Sequence, residues 1–258
     1  MRFSTPGFAR CSRRGALALM VAGVLGVAAS TARAAEAVDL LLVLASDVTR
    51  SVDAQKFQLQ REGYARALSD PRVLDTIRSG PRGQIAVAFV EWSGVGNQKL
   101  VIDWTIIKDN TSAQQFGSQL AEAQRSFADR TSISGGIDFA VSQLERAPFE
   151  ARRRTIDVSG DGTNNSGREV TAARDEALAK GITINGLAIL SERPLSWNAE
   201  HTNPPGGLDN YYRNNVIGGP GAFVLVAQDF KVFGQAIISK LVAEIASAPS
   251  PTHAPSGG

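Results

Sequence analysis

The chain has 258 residues, 43% of them hydrophobic and 20% charged, enough for an ordinary globular core and too apolar for wholesale disorder. Its formal charge of +2 hides an asymmetry, because residues 1–34 hold five Arg and no acidic residue, which leaves 22 basic against 25 acidic side chains and a net of −3 in the remainder. That balance argues against a nucleic-acid binder relying on phosphate attraction. With Cys11 the only cysteine and His201 and His253 the only histidines, disulfides, cysteine zinc sites, thiol nucleophiles and multi-histidine metal centres are excluded from the rest.

In chain order, Arg10, Arg13 and Arg14 precede an apolar run from Ala16 to Ala29, and Ala32-Arg33-Ala34 follows with small residues at the two positions a signal peptidase reads. This pattern predicts a secretory signal over residues 1–34, cleaved near Ala34 or Ala35, of the Sec type or, through Arg13-Arg14, the twin-arginine type. The run is shorter than the roughly 20 apolar residues of a membrane helix, and no other segment suits one. The mature chain is therefore expected to be soluble, in the periplasm or outside the cell, without a transmembrane segment.

Val38–Ala45 is nearly continuous apolar chain, the mark of a strand covered on both faces. Asp53–Leu68 carries apolar residues on one helical face and is ended by Ser69-Asp70-Pro71. Gln84–Trp92 and Lys99–Ile107 are strands joined by a short Gly-containing hairpin link, and Ala113–Phe127 and Ser134–Leu144 are helices. A strand at Arg154–Ser159, a helix at Glu169–Ala179 and a strand at Ile182–Leu190 follow. A short helix at Asp209–Val216, a strand at Ala222–Ala227 and a closing helix from Phe230 to Ala246, N-capped by Asp229, complete the domain. The alternation predicts a three-layer, doubly wound, Rossmann-like α/β domain over residues 36–247, with about six strands, mainly parallel, one antiparallel edge strand and helices on both faces. Residues 248–258, rich in Pro, Ser and Gly, are expected to be a disordered tail. Arg152-Arg153-Arg154 is taken as a solvated turn, and Asp157, inside a strand, as a satisfied buried carboxylate rather than a ligand.

Ligands of open parallel sheets bind beyond the carboxyl ends of the strands, where the strand order reverses. After the first strand come Asp47, Thr49 and Ser51 at alternate positions; after the Arg154–Ser159 strand comes Asp161 in a Gly-flanked turn; Thr131 and Ser134 open a helix between them. Two carboxylates with neutral hydroxyls form a hard-oxygen set suited to an octahedral divalent cation such as Mg²⁺. Taken singly, each piece also suits a helix cap or a turn; the placement of both polar sets at ends of core strands favours the metal reading.

These motifs resemble the von Willebrand factor type A domain, which includes the integrin I domains, over nearly all of residues 38–247. Ile156-Asp157-Val158-Ser159-Gly160-Asp161-Gly162 is similar to a subfamily of exported bacterial proteins with this fold. The resemblance implies a metal-ion-dependent adhesion site formed by Asp47, Thr49, Ser51, Thr131 and Asp161, holding Mg²⁺ or alternatively Mn²⁺ or Ca²⁺. It further implies hydroxyls on the ion, aspartates acting partly through water, and an open position for a protein partner's Asp or Glu. Thr49 departs from the family's usual serine and stiffens χ1. Specificity is expected from the same rim: Trp92, Asn164, Trp197, Tyr211 and Tyr212, with Arg50 at its border. A serine hydrolase is excluded by the lack of a nucleophile elbow and of any domain histidine other than His201. A metal-free structural scaffold and, less favoured, a Mg²⁺-dependent phosphoryl-transfer enzyme are the alternatives.

Overall fold

The structure, a computed structural model, describes residues 35–190 and 198–246. The elements in order are β1 (Glu36–Ala37), β2 (Leu41–Asp47), α1 (Ala54–Leu68), α2 (Pro71–Ser79), β3 (Ile85–Trp92), β4 (Gln98–Ile107), α3 (Asn110–Glu122) and α4 (Ile133–Glu145). Then come β5 (Phe149–Glu150), β6 (Arg154–Gly160), α5 (Val170–Ala179), β7 (Thr183–Ile189), α6 (Ala199–Thr202), α7 (Leu208–Tyr211) with a π-helical turn at Tyr212–Val216, β8 (Val224–Ala227) and α8 (Phe233–Ala246). The main sheet has six strands in the order β4-β3-β2-β6-β7-β8, all parallel except the β3–β4 hairpin.

Alternation along β2 divides the core. Leu40, Leu42 and Leu44 point into one apolar layer with α1, α2, α3 and α8, while Leu41, Val43 and Ala45 point into the other with α4 and α5. Each fully buried leucine contributes about 2 kcal/mol of transfer free energy, so burial on both faces pins β2 in register at the sheet's centre. Successive strands are added on one side of β2 (β3, β4) and then on the other (β6, β7, β8). The order therefore reverses between β2 and β6, whose carboxyl ends deliver Asp47 and Asp161.

Three local expectations are corrected. Ser69-Asp70-Pro71 ends α1 but also starts α2: Asp70 accepts from the Arg72 N–H and Pro71 occupies the first helical position, where its missing donor costs nothing. Helix α3 begins three residues early, behind a capping box between Asp109 and Ser112, and stops at Glu122 instead of Phe127. The segment after it is captured by the neighbouring loop, since Arg125 donates to the carbonyls of Val48 and Thr49 at 2.6 Å and the Ser126 N–H donates to Glu91 at 2.8 Å. The arginine run is a solvated turn only at Arg152, which is exposed on a bend: Arg153 donates to the terminal carbonyls of α8 (Ile245 O, 2.9 Å, and Glu244 O), and Arg154 to Lys180 O behind α5. The small parallel pair β1–β5 was not anticipated, its strands being too short for a periodic signal.

Asp157 is a fully buried partner of Lys240 on α8 at 2.8 Å, and Lys240 also pairs with Glu244, whose Oε1 accepts from Asn185 at 3.0 Å. Burial, with Glu244 close by, pushes the Asp157 carboxyl up to about 7. Asp229 accepts from Lys231 N at 2.8 Å and Val232 N at 3.0 Å ahead of α8. No helix among the described residues is long and apolar enough to cross a membrane. The expected signal segment and tail lie outside the described residues, as does Trp197.

Candidate metal centre

Asp47 ends β2, and the chain turns at once because Oδ1 of Asp47 accepts from the Thr49 N–H at 2.7 Å. This turn sets Thr49 Oγ1 against Ser51 Oγ at 2.8 Å. The Ser51 hydroxyl then donates to Asp161 Oδ1 at 2.5 Å, joining the end of β2 to the end of β6 across 110 residues of sequence. All four side chains are sequestered, with Asp47 and Asp161 at 0% exposure. Four of the five expected ligand residues therefore stand in one hydrogen-bonded cluster.

Thr131 reaches the same neighbourhood through His201 on α6. Thr131 Oγ1 lies 3.1 Å from His201 Nε2, and the imidazole packs so closely over Gly162 that a Cβ at position 162 would stand 2.3 Å from the ring. The loop is tied to Thr131 from below: Asn165 N and Ser166 N donate to Thr131 O at 2.9 and 3.1 Å, and Thr131 N donates to Asn165 Oδ1 at 2.9 Å. Ser134, the other hydroxyl at the start of α4, is turned to Ser132 (3.4 Å).

Electrostatically the two carboxylates are only partly neutralised. Burial, and then the neighbouring Asp161 carboxylate, push Asp47 up to about 7, against the opposing pull of the Thr49 hydrogen bonds. Asp47 Oδ2 is buried and has no hydrogen-bond partner. Gly160 leaves this oxygen its room: a Cβ there would stand 2.8 Å from Asp47 Oδ2 and 2.6 Å from Tyr212 Oη, itself buried and unpartnered. Among the described residues no group of three or more His, Cys, Asp or Glu forms that could hold a metal, so an ion here depends on the hydroxyls. An unpartnered buried carboxylate oxygen beside a second carboxylate and a pair of hydroxyls fits a hard divalent cation. One positive group is already present. Lys56 Nζ donates to Ser51 O at 2.7 Å and pairs with Asp161 Oδ2 at 3.2 Å.

The expected recognition rim is partly corrected. Trp92 is fully buried, its indole packed under α4 where Gly136 lacks a side chain, because its place opposite Asp47 in the β2–β3 ladder turns it inward. Tyr212 is also fully buried and meets the cluster from inside, through its hydroxyl at Gly160; burial, and Asp47 next, raise that phenol well above its ordinary value. Asn164 and Tyr211 remain half-buried at the rim and touch, Asn164 N donating to Tyr211 Oη at 3.0 Å, while Asn164 Oδ1 accepts from Ser134 N at 3.1 Å. Arg50 is exposed and pairs with Asp129 at 3.6 Å. Sequence reasoning assigned no role to His201 or Lys56. The signals available were the single domain histidine in the loop of the same rim, and a lysine one turn into the helix after Ser51.

Comparison with solved structures shows the fold of a von Willebrand factor type A domain. Proximal thread matrix protein 1 from the mussel byssus, described with a zinc-occupied MIDAS motif (the metal-ion-dependent adhesion site), matches at a TM-score of 0.55 with 15% identity over 82% of this chain and 48% of that one. The pilus adhesin SpaC from Lactobacillus rhamnosus GG, in its open conformation, matches at 0.57 and 12% over 83% and 30%. A von Willebrand factor type A protein from Catenulispora acidiphila matches at 0.51 and 14% over 81% and 43%. The chain spans under half the length of each of these structures. A comparison with curated proteins finds no match. The family model described as "Protein of unknown function (DUF1194)" covers residues 37–249, and the chain belongs to that family.

Proposed function

We propose that this protein is an exported, non-enzymatic binding module that recognises a protein partner through a divalent cation held by Asp47, Thr49, Ser51, Thr131 and Asp161. The observation that carries this reading is the buried, partnerless Oδ2 of Asp47 within a cluster that joins the carboxyl ends of β2 and β6. A bound cation would supply an open coordination position for a partner's Asp or Glu side chain. The chain's own residues do the rest. Asp47 and Asp161 provide two negative charges, which leave a divalent ion without a surplus of anionic ligands, and Thr49 and Ser51 provide neutral oxygens at a fixed spacing. Asn164 and Tyr211 line the approach. The adhesin and the byssal matrix protein with the same fold add support to a binding role, and the basic, apolar leader supports export. Mg²⁺ is the ion that suits the all-oxygen part of the set, with Mn²⁺ or Ca²⁺ as substitutes.

One observation favours a metal-free scaffold instead. The Lys56 ammonium stands at Asp161 and partly neutralises the pair without any ion. Titration calorimetry with MgCl₂ and MnCl₂ separates the two readings. The binding module takes up one ion per chain and loses it in Asp47→Ala, and its capture of envelope proteins is abolished by chelator. A protein that shows no heat with either salt, and captures the same partners in chelator, is the scaffold.

A further inference from the structure

A partner's carboxylate can complete a cation's shell only if it reaches the ion, yet Asp47, Thr49, Thr131 and Asp161 are no more than 1% exposed and Ser51 is 6% exposed. From below, the cluster is closed by the core, where the buried Tyr212 hydroxyl meets Asp47 at Gly160. From outside it is overlaid by α6. His201 and Thr202 of this four-residue helix are buried, while Ala199 and Glu200 face solvent. His201 makes the contact. Asn165 Nδ2 donates to its Nδ1 at 3.3 Å, which leaves the ring proton on Nε2, and Nε2 donates to Thr131 Oγ1 at 3.1 Å. The neutral ring lies over Gly162, the residue after Asp161, where a Cβ would stand 2.3 Å from it. Thr163 N donates to His201 O at 2.9 Å. The imidazole thus covers Thr131 and the Asp161 turn while bringing them neither a lone pair nor a charge.

The attachment of α6 is local. Asn198 gives it no side-chain cap, and α6 contributes no side chain to either apolar layer of the described core. Beyond it the chain runs through Pro204-Pro205 to Gly206 and Gly207, at φ of +83° and +92°, and a Cβ on Gly206 would meet nothing within 4 Å. A four-residue helix joined through an unpacked glycine pair can swing without disturbing the core, the mark of a segment that opens below the global unfolding free energy. We propose that α6 is a lid over the candidate cation centre, latched by His201 on Thr131 and Gly162, which opens before the ion or a partner's carboxylate enters. The inference rests on the reading of the cluster as a divalent-cation centre. Its physical content is a population shift: when only the open form is competent, apparent affinity is reduced by the fraction of molecules that are open, and a weakened latch returns that affinity.

The test uses the mature chain and its His201→Ala and Gly162→Ala variants, with folding checked by circular dichroism. Gly162→Ala keeps the imidazole but forces it off its seat. Amide hydrogen exchange is followed by NMR in chelator, and Mn²⁺ binding by stopped flow and calorimetry. Opening of α6 releases Thr163 N–H but leaves Asn165 and Ser166 N–H on Thr131 O. Thr163 is therefore expected to exchange faster than those two in the parent, after correction for intrinsic rates. In each variant it should exchange about tenfold faster again, the scale of a lost buried hydrogen bond. Both variants should also bind Mn²⁺ faster and more tightly by the same factor. A histidine that merely supports Thr131 gives the opposite sign, weaker Mn²⁺ binding, and that result overturns the proposal. Three amides that exchange at one rate in parent and variants overturn it as well. If His201→Ala fails to fold, Gly162→Ala decides alone. Local opening at Thr163 with no Mn²⁺ uptake by any of the three proteins keeps the lid and removes the centre beneath it. Mn²⁺ uptake at one rate and one affinity in all three keeps the centre and removes the lid.

Discussion

Replacing Asp47 by asparagine deletes one of two buried negative charges while keeping the shape of the side chain and the oxygen that accepts from Thr49 N. In the folded protein, burial and Asp161 raise the Asp47 carboxyl from 3.8 to about 7. A raised carboxyl binds its proton more tightly folded than unfolded. Its contribution to stability is therefore fully present below about 3.8, declines as pH rises, and is lost once pH passes about 7. The whole rise corresponds to about 4 kcal/mol. Asparagine has nothing to titrate, so in chelator Asp47→Asn is expected to be the more stable protein at pH 8, and its advantage over wild type should widen by about 3 kcal/mol between pH 5 and pH 8. Asp157, also raised to about 7, titrates in both proteins and cancels from that difference. Urea denaturation at the two pH values measures it. Saturating Mg²⁺ at pH 8 should close most of that gap, since an ion present at 100 times its dissociation constant adds about 2.7 kcal/mol to the wild type alone. A stability gap that does not change with pH would refute the claim that Asp47 is a carboxyl strained by burial and by Asp161.

Three other perturbations probe neighbouring parts of the structure. Gly160→Ala places a methyl 2.6 Å from Tyr212 Oη and 2.8 Å from Asp47 Oδ2; overpacking of this kind costs about 1–3 kcal/mol, read by thermal melting, with weakened Mn²⁺ uptake by calorimetry. Lys56→Met removes the ammonium that competes for Asp161 and is expected to tighten Mg²⁺ binding about two- to fivefold, the scale of a partly exposed ion pair; weaker binding would mean that the lysine supports the ion instead. Lys240→Met leaves Asp157 and Glu244 facing each other without their cation. It should cost about 3–5 kcal/mol in urea denaturation at pH 8 and leave Mg²⁺ affinity unchanged, because this triad belongs to the α8 side of the core and not to the cluster at Asp47.

The legible parts of the sequence were those with a physical period or a positional rule. A nearly continuous apolar run at Val38–Ala45 marked a doubly covered strand and Arg154–Ser159 read as a further strand of the same sheet, and the polar residues just past them had to fall at the carboxyl edge of a parallel sheet. Asp47, Thr49, Ser51 and Asp161 could thus be grouped although Ser51 and Asp161 are 110 residues apart. The double role of Asp70-Pro71 was missed because one dipeptide can end a helix and begin another, and only packing of Val73, Leu74 and Ile77 into the core decides it. Trp92 illustrates a different limit. A strand-end aromatic points to the rim or to the core according to register, and the ladder that pairs it with Asp47 sends it inward. His201 and Lys56 carry no local pattern at all. Their approach to Thr131 and Asp161 is set by the fold of the β7–β8 connection and by the direction in which α1 leaves the turn.

The most direct test of the central claim is a crystal of the mature protein soaked in MnCl₂ and measured at the manganese absorption edge. One strong anomalous peak is expected at the carboxyl ends of β2 and β6, within bonding distance of the Thr49 and Ser51 hydroxyls and beside Asp47 and Asp161, and it should disappear in Asp47→Ala. A fully soaked crystal with no peak at that position, or with Lys56 Nζ still on Asp161 and the ion bound elsewhere, would contradict it.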